Sequence, residues 1–302
     1  MFLKSQVASR HGTPSGVETD MEGTMPWSEA TQAQYRRTDD HRQNNLTDEE
    51  WLLIEPMVPK QGRMGRPRKR DPRQIFDAIQ YMLASGCQWR LLPGCFPPFS
   101  TVQNYFYAWS RSGVLDRMLD RLRHLARRCA GRSADPTAAI IDSQSVKTTE
   151  GGGPSGYDAA KRIKGRKRHM AVDTEGSPIV LRVHGADVQD RDGAPDVIVE
   201  LLCKAPQVSR LFADGGYAGP RLRGALADLG VSELIEIVEK PKHIREFTVL
   251  HRRWVVERTF AWMGRCRRLA KDFERTETSS LAWAKLAACR FLMRRVAREL
   301  SA

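Results

Sequence analysis

The sequence has little of what a secreted or membrane-spanning chain relies on. Its six cysteines, at 87, 95, 129, 203, 266 and 289, form no Cys-x-x-Cys pair in 302 residues. That argues against a zinc knuckle or a disulfide framework and predicts buried thiols in a reducing compartment. No apolar run approaches the roughly 20 residues of a membrane span. Met1-Phe2-Leu3-Lys4 lacks the apolar core of a signal peptide, so the expectation is a cytoplasmic chain with no membrane partner. Negative charge is also short. Asp and Glu number 36 against 49 Lys and Arg, a net charge of +13, which points to a polyanionic partner.

The charge is unevenly spread. Residues 1–45 hold 5 Lys/Arg and 6 Asp/Glu, residues 46–133 hold 15 and 8, and residues 134–302 hold 29 and 22. The first stretch is polar and shows no sustained period, so it is expected to be disordered, or an extension the folded body does not need. From Leu46 to residue 133 the pattern is helical. Thr47 and Glu50 form a capping box ahead of a short helix ended by Pro56 and Pro59. Three further helices are expected: about 73–85, one capped by Ser100 or Thr101, and about 114–128. The aromatic residues Tyr105, Phe106 and Trp109 fall on a core stripe. Successive short helices with a net charge of +7 suggest a helix-turn-helix-like DNA-binding domain.

From 134 the pattern changes to short strands alternating with helices. Ala139-Ile140-Ile141 reads as a buried strand that ends on Asp142, and a carboxylate in a dry sheet needs a partner or a metal. Arg210-Leu211-Phe212-Ala213 is a second such run, ending on Asp214 before Gly215-Gly216. A long helix, about 247–268, carries Glu257 on a stripe with Leu250, Trp254 and Ala261, so the acid is expected to interrupt an apolar face. Between these lie a hairpin (170–173 and 179–184, turning at Glu175-Gly176), helices at 193–204 and 220–229, and a strand at 234–238. A last helix at 281–300 is expected to pack on the sheet.

This is the ribonuclease-H-like order, and the fold expected is α/β: a ribonuclease-H-like domain with a mixed sheet over 134–302, preceded by the all-α domain over 46–133. Two strand-end aspartates and a helical glutamate suit two hard divalent cations in phosphoryl transfer. The plainer readings are Asp214 as a turn former and Glu257 as an ion pair with Arg253 at i−4. Asp173 reads as turn chemistry, and Asp187, Asp190 and Asp192 as capping and solvated residues. His169 and His184 read as structural or phosphate-contacting rather than as zinc ligands.

Two basic clusters stand out. Arg63, Arg66, Arg68, Lys69 and Arg70 lie in a linker whose Gly-Arg-Pro core resembles a minor-groove AT-hook arm, or is a plain solvated linker. Lys161, Lys164, Arg166, Lys167 and Arg168 follow the first strand, and are either a solvated run or contacts to a DNA backbone near the acids.

Five stretches in order carry a resemblance. They are Leu46-Thr47-Asp48-Glu49-Glu50-Trp51, Gly86-Cys87-Gln88-Trp89-Arg90, Lys164–His169 leading to Val172-Asp173-Thr174, Ala213-Asp214-Gly215-Gly216-Tyr217, and Arg253–Trp262 around Glu257. From about Leu46 to Leu300 the chain resembles bacterial insertion-sequence transposases of the DDE class, the insertion sequence five-type family. The Tyr–Arg–Glu–Lys signature of related elements is matched at Arg253 and Glu257, with Leu250 at the Tyr position and Gly264 at the Lys position.

The resemblance implies a metal-dependent enzyme that binds the ends of its element, cleaves DNA and joins strands. Asp142, Asp214 and Glu257 would be its catalytic and metal-binding residues, and Arg253 joins the basic clusters in contacting DNA. The cofactor implied is Mg2+, two ions, with Mn2+ as a substitute. The partners implied are double-stranded DNA, as terminal inverted repeats and target, and further copies of the chain, as a homodimer or higher on DNA, at the nucleoid. A DNA-binding repressor without catalysis, or a nuclease that does not join strands, is the alternative.

Overall fold

A computed structural model describes residues 45–60, 70–151, 153–238 and 253–301. The N-terminal helices start where the local chemistry directs. Helix α1 (Asp48–Ile54) begins at the expected capping box, with Thr47 Oγ1 accepting from Glu50 N and Glu50 Oε2 accepting from Thr47 N. Helix α2 (Pro72–Ser85) has Asp71 as its N-cap and Gly86, at φ +71°, as its left-handed C-cap. Helix α3 (Phe99–Arg111) starts after Pro98 with no side-chain cap. The expected Ser100 or Thr101 cap is therefore corrected: both residues lie inside the helix, because the proline ends the extended segment first. Helix α4 (Val114–Cys129) follows Gly113.

The sheet is mixed. Strand β1 (Ala138–Lys147) pairs antiparallel with β3 (Ile163–Asp173), and β3 pairs antiparallel with β4 (Pro178–Gly185). The short β2 (Gly156–Asp158) lines the start of β3 on the edge away from β1. On its other side β1 runs parallel to β5 (Arg210–Ala213), and β5 runs parallel to β6 (Ile235–Ile237). Helix α5 (Asp190–Lys204) precedes β5, and helix α6 (Pro220–Asp228) precedes β6. Helix α7 (Trp254–Gly264) and helix α8 (Glu277–Leu300) complete the described chain.

Three expectations change. Strand β1 continues five residues past Asp142, because Ser143–Lys147 find ladder partners in Gly165–His169. Helix α7 ends at Gly264 and a separate turn spans Arg267–Leu269; the part expected over 247–252 lies outside the described residues. The helix expected from 193 begins at Asp190.

Alternation along the strands divides the core in two. Ile140, Met170, Val172, Leu181 and Phe212 pack with α1–α4, α7 and α8. Ala139, Ile141, Ala171, Val180, Leu211 and Ala213 pack with α5 and α6. The helical region thus shares a core with one face of the sheet. Trp283 of α8 stacks on Phe106 of α3 at 4.4 Å between ring centres, with Trp89 5.8 Å away. At the same joint Arg268 donates to Cys87 O at 2.7 Å. A Cβ at Gly86 would stand 3.2 Å from the backbone carbon of Arg267, which explains a glycine there beyond its φ. Among the described residues no helix is long and apolar enough to cross a membrane.

Candidate active site

Asp142 lies mid-strand on β1, on the face that Ile140 shares with α7 and α8. The Ser143 N–H donates to Asp142 Oδ1 at 2.7 Å. Burial pushes the Asp142 carboxyl up to about 6. The Ser143 bond opposes this, the charge of Asp214 adds to it, and Lys161 and Arg253 draw it back. Asp214 follows β5, the parallel neighbour of β1, and its Oδ1 accepts from Gly216 N at 2.9 Å, capping the turn Gly215–Tyr217. The turn-forming reading of Asp214 and its place beside Asp142 therefore hold together.

Glu257 is placed differently from the expectation. The buried face of α7 is Val255, Val256, Thr259, Phe260 and Met263, whereas Trp254, Glu257 and Ala261 share the exposed face. The 3–4-residue stripe through Glu257 is real, but it is the open side of the helix. The two adjacent valines and Phe260 set a different apolar face, and a carboxylate side chain 57% exposed keeps its hydration there. Arg253 joins the helix to the strand: its Nη2 lies 3.6 Å from Asp214 Oδ2 and 3.4 Å from Glu257 Oε1. Among the described residues no three His, Cys, Asp or Glu side chains are gathered closely enough to hold one ion.

The basic run after β1 divides. Lys161 and Lys164 are exposed, and Lys161 Nζ donates to Ser143 O at 3.0 Å, beside Asp142. Arg166, Lys167 and Arg168 are buried, which corrects the view that they line a DNA surface. Arg166 Nη1 pairs with Asp272 Oδ1 at 3.1 Å and donates to Glu274 O at 2.8 Å. Lys167 Nζ meets Asp190 Oδ1 at 2.8 Å and donates to Val188 O at 2.7 Å. Arg168 Nη1 donates to Leu269 O at 2.9 Å. The run enters the middle strand of the sheet, and each cation takes a partner at the layer it meets, because an unpaired buried charge is too costly. Of the first basic cluster, Arg63, Arg66, Arg68 and Lys69 lie outside the described residues, and Arg70 is exposed.

Behind Asp142, on the α5 side of the sheet, a polar network supports the same stretch of β1. Ser143 Oγ donates to Asp190 Oδ1 at 2.7 Å, and Ser145 Oγ to Asp158 Oδ2 at 2.6 Å. Burial acts to raise the Asp190 carboxyl, but the bonds from Lys167 and Ser143 hold it below the usual carboxylate range. Asp190 is therefore not a solvated cap, and its position at a helix start gave no signal of the strand it would meet. His169 Nδ1 and His184 Nε2 lie 2.8 Å apart. Burial, then His184, pushes His169 down to about 3, so its imidazole is neutral. His169 is thus structural. Tyr217 is buried beside it, its hydroxyl pushed well above the usual value by burial and then by Asp142, Asp190 and Asp214. Asp173 keeps the turn role expected of it, accepting from Glu175 N and Ser177 N, and adds a buried pair with Arg127 of α4.

Comparison with known proteins places these features. Residues 133–292, which include all three acids, match the family described as Transposase DDE domain. That defines the class: the chain belongs to the DDE transposases. Residues 46–119 match a family described as Putative transposase of IS4/5 family. A putative transposase for insertion sequence element IS402 from Burkholderia cepacia is 32% identical over 148 residues, which cover 45% of this chain and 66% of that protein. The uncharacterized protein y4sN of Sinorhizobium fredii is 31% identical over 42% of this chain and 92% of its own length. An insertion element IS402 uncharacterized 16.2 kDa protein, also from Burkholderia cepacia, is 32% identical over 35% of this chain and 76% of its own.

Proposed function

We propose that the chain binds the terminal inverted repeats of an insertion sequence and cuts and joins DNA strands at a metal site built on Asp142, Asp214 and Glu257. The observation that carries this reading is the double contact of Arg253, which ties Asp214 to Glu257 on the side of the sheet where Asp142 lies. The strand sequence β4-β3-β1-β5-β6, with its first three strands antiparallel and the rest parallel, supports a ribonuclease-H-like core.

The donor set suits the cofactor. All three side chains offer hard oxygen, and the like charge of Asp214 adds to burial in raising Asp142, a repulsion that a bound cation would relieve. Two Mg2+ ions, with Mn2+ substituting, fit such donors. When bound, they supply an activated water or 3′-hydroxyl and neutralise charge at the reacting phosphate, for phosphodiester hydrolysis and then transesterification.

The chain's own residues do the rest. Asp142 presents its oxygens from β1, and Asp214 from the turn that follows β5, the parallel neighbour of β1. Glu257 approaches from α7. Arg253 stands between two carboxylates and can turn its guanidinium to a DNA phosphate. Lys161 and Lys164 hold the backbone beside the acids. Residues 46–133, as a helix-turn-helix-like domain with the arm from Arg63 to Arg70, read the element's ends, and two or more copies assemble on DNA at the nucleoid.

Asp142→Asn should abolish Mg2+-dependent cleavage and strand transfer on a terminal-repeat duplex and leave its gel-shift affinity nearly unchanged. Normal cleavage by this variant would overturn the site. Cleavage by the wild-type protein without any joined product would reduce the function to that of a nuclease.

A further inference from the structure

The turn between β3 and β4 gathers more elements than a hairpin turn needs. Asp173 anchors it to α4 through Arg127 Nη1 at 2.9 Å. Glu175 is flanked by Arg132 and by Arg295 of α8, each at 3.5 Å. From α7, Arg258 Nη2 donates to Glu175 O at 3.1 Å. The wholly buried Thr259 Oγ1 lies 2.9 Å from Gly176 O and 3.0 Å from Val255 O. Gly176 holds φ +83°, and a Cβ there would stand 2.8 Å from Thr259 Oγ1. The glycine serves both the left-handed backbone and the close approach of the helix.

The remaining buried face of α7 is apolar: Val255, Val256, Phe260 and Met263. Apolar contact is non-directional and does not by itself fix where a helix sits along its axis. Sliding by one residue moves a helix about 1.5 Å. The bonds to Glu175 O and Gly176 O are directional and lie one and two residues from Glu257. The Arg258 guanidinium is also clamped between the rings of Trp254 and Trp262, 4.4 Å from each, so it is not free to release the turn.

We propose that the β3–β4 turn is a clasp that fixes the register of α7, and that Thr259 and Gly176 are positioning residues that hold Glu257 at its distance from Asp142 and Asp214. This rests on the reading of Glu257 as a catalytic residue.

The test uses the full chain with Mg2+ and a terminal-repeat duplex, measuring single-turnover cleavage rate and DNA affinity separately. Thr259→Val keeps the shape and removes the hydroxyl; it should slow cleavage about 10²-fold, the scale of a remote 1 Å misplacement, with DNA affinity unchanged. Thr259→Ser should restore most of the rate, and Gly176→Ala should reproduce the loss. A wild-type rate for Thr259→Val, equal slowing by Val and Ser, or a parallel loss of DNA affinity would each overturn the clasp. Should Thr259→Val not fold, Arg258→Gln is measured instead. Slowed cleavage with unchanged DNA affinity would support the clasp, and an unchanged rate would overturn it. Glu257→Gln runs alongside: if it cleaves at the wild-type rate, the catalytic reading beneath the clasp is what fails.

Discussion

Asp142, in the middle of β1, and Asp272, buried before the last helix, are carboxylates built in opposite ways. Asp272 is buried and surrounded by donors: Arg166 at 3.1 Å, Glu274 N at 3.0 Å and Ser280 Oγ at 2.6 Å. Among the described residues Asp142 accepts one hydrogen bond, from the N–H of the next residue, and a like charge nearby helps raise its pKa. Interior acids are matched by donors and contribute to the fold. Burial, with the charge of Asp214 adding to it, favours the protonated form of Asp142, the opposite of the donor-rich setting of Asp272. The cations divide the same way, with Arg166, Lys167 and Arg168 paired inside and Lys161 and Lys164 left at the surface.

The largest effect should come from breaking an interior pair. Arg166→Ala leaves Asp272 buried without its cation, and chemical denaturation should show a loss of about 3–5 kcal/mol. A loss within error would place Arg166 among the surface cations after all.

Asp142→Asn should shift stability less, and in the other direction. The folded carboxyl titrates near 6 against an ordinary 3.8, so the native state holds its proton to higher pH than the unfolded chain does. Wild-type stability is therefore lost as pH rises from about 4 to about 6. In metal-free buffer the asparagine variant should melt higher than wild type at pH 7 and no higher at pH 4. A lower melting temperature at pH 7 would show that the ionised carboxylate supports the fold.

The smallest effect should come from the surface cations. Replacing Lys161 and Lys164 together by alanine should leave the melting temperature almost unchanged. Binding to terminal and random duplex should weaken alike, with the logarithmic salt slope shallower by about one unit for each phosphate no longer neutralised. A selective weakening on terminal DNA with an unchanged slope would make these lysines readers of sequence.

Much of this was legible along the chain. The Thr47–Glu50 box, the Glu175-Gly176 hairpin and the order of strands and helices follow from local rules: caps, turn residues and period. Asp142 and Asp214 stood out because a carboxylate at the end of a short apolar run contradicts its surroundings. Less legible was the extent of β1, whose second half exists because β3 offers a partner. The exposed side of α7 was misjudged because two apolar stripes overlap on that helix. Thr259 and Asp190 carried no signal, since a threonine in a helix and an acid at a helix start are both ordinary.

By itself the sequence determined the elements, the alternation that splits the core, and the surplus of positive charge, because these depend on neighbours within a few residues. Only the tertiary structure decided which charges are paired inside. Arg166, Lys167 and Arg168 share a run with Lys161 and Lys164, and their roles separate at Gly165, where β3 begins to pair with β1. Their partners, Asp272, Asp190 and the carbonyl of Leu269, lie from 23 to 106 residues away in the chain. No local pattern encodes a pairing at that range; packing imposes it, because a cation carried into the core must find an acceptor there.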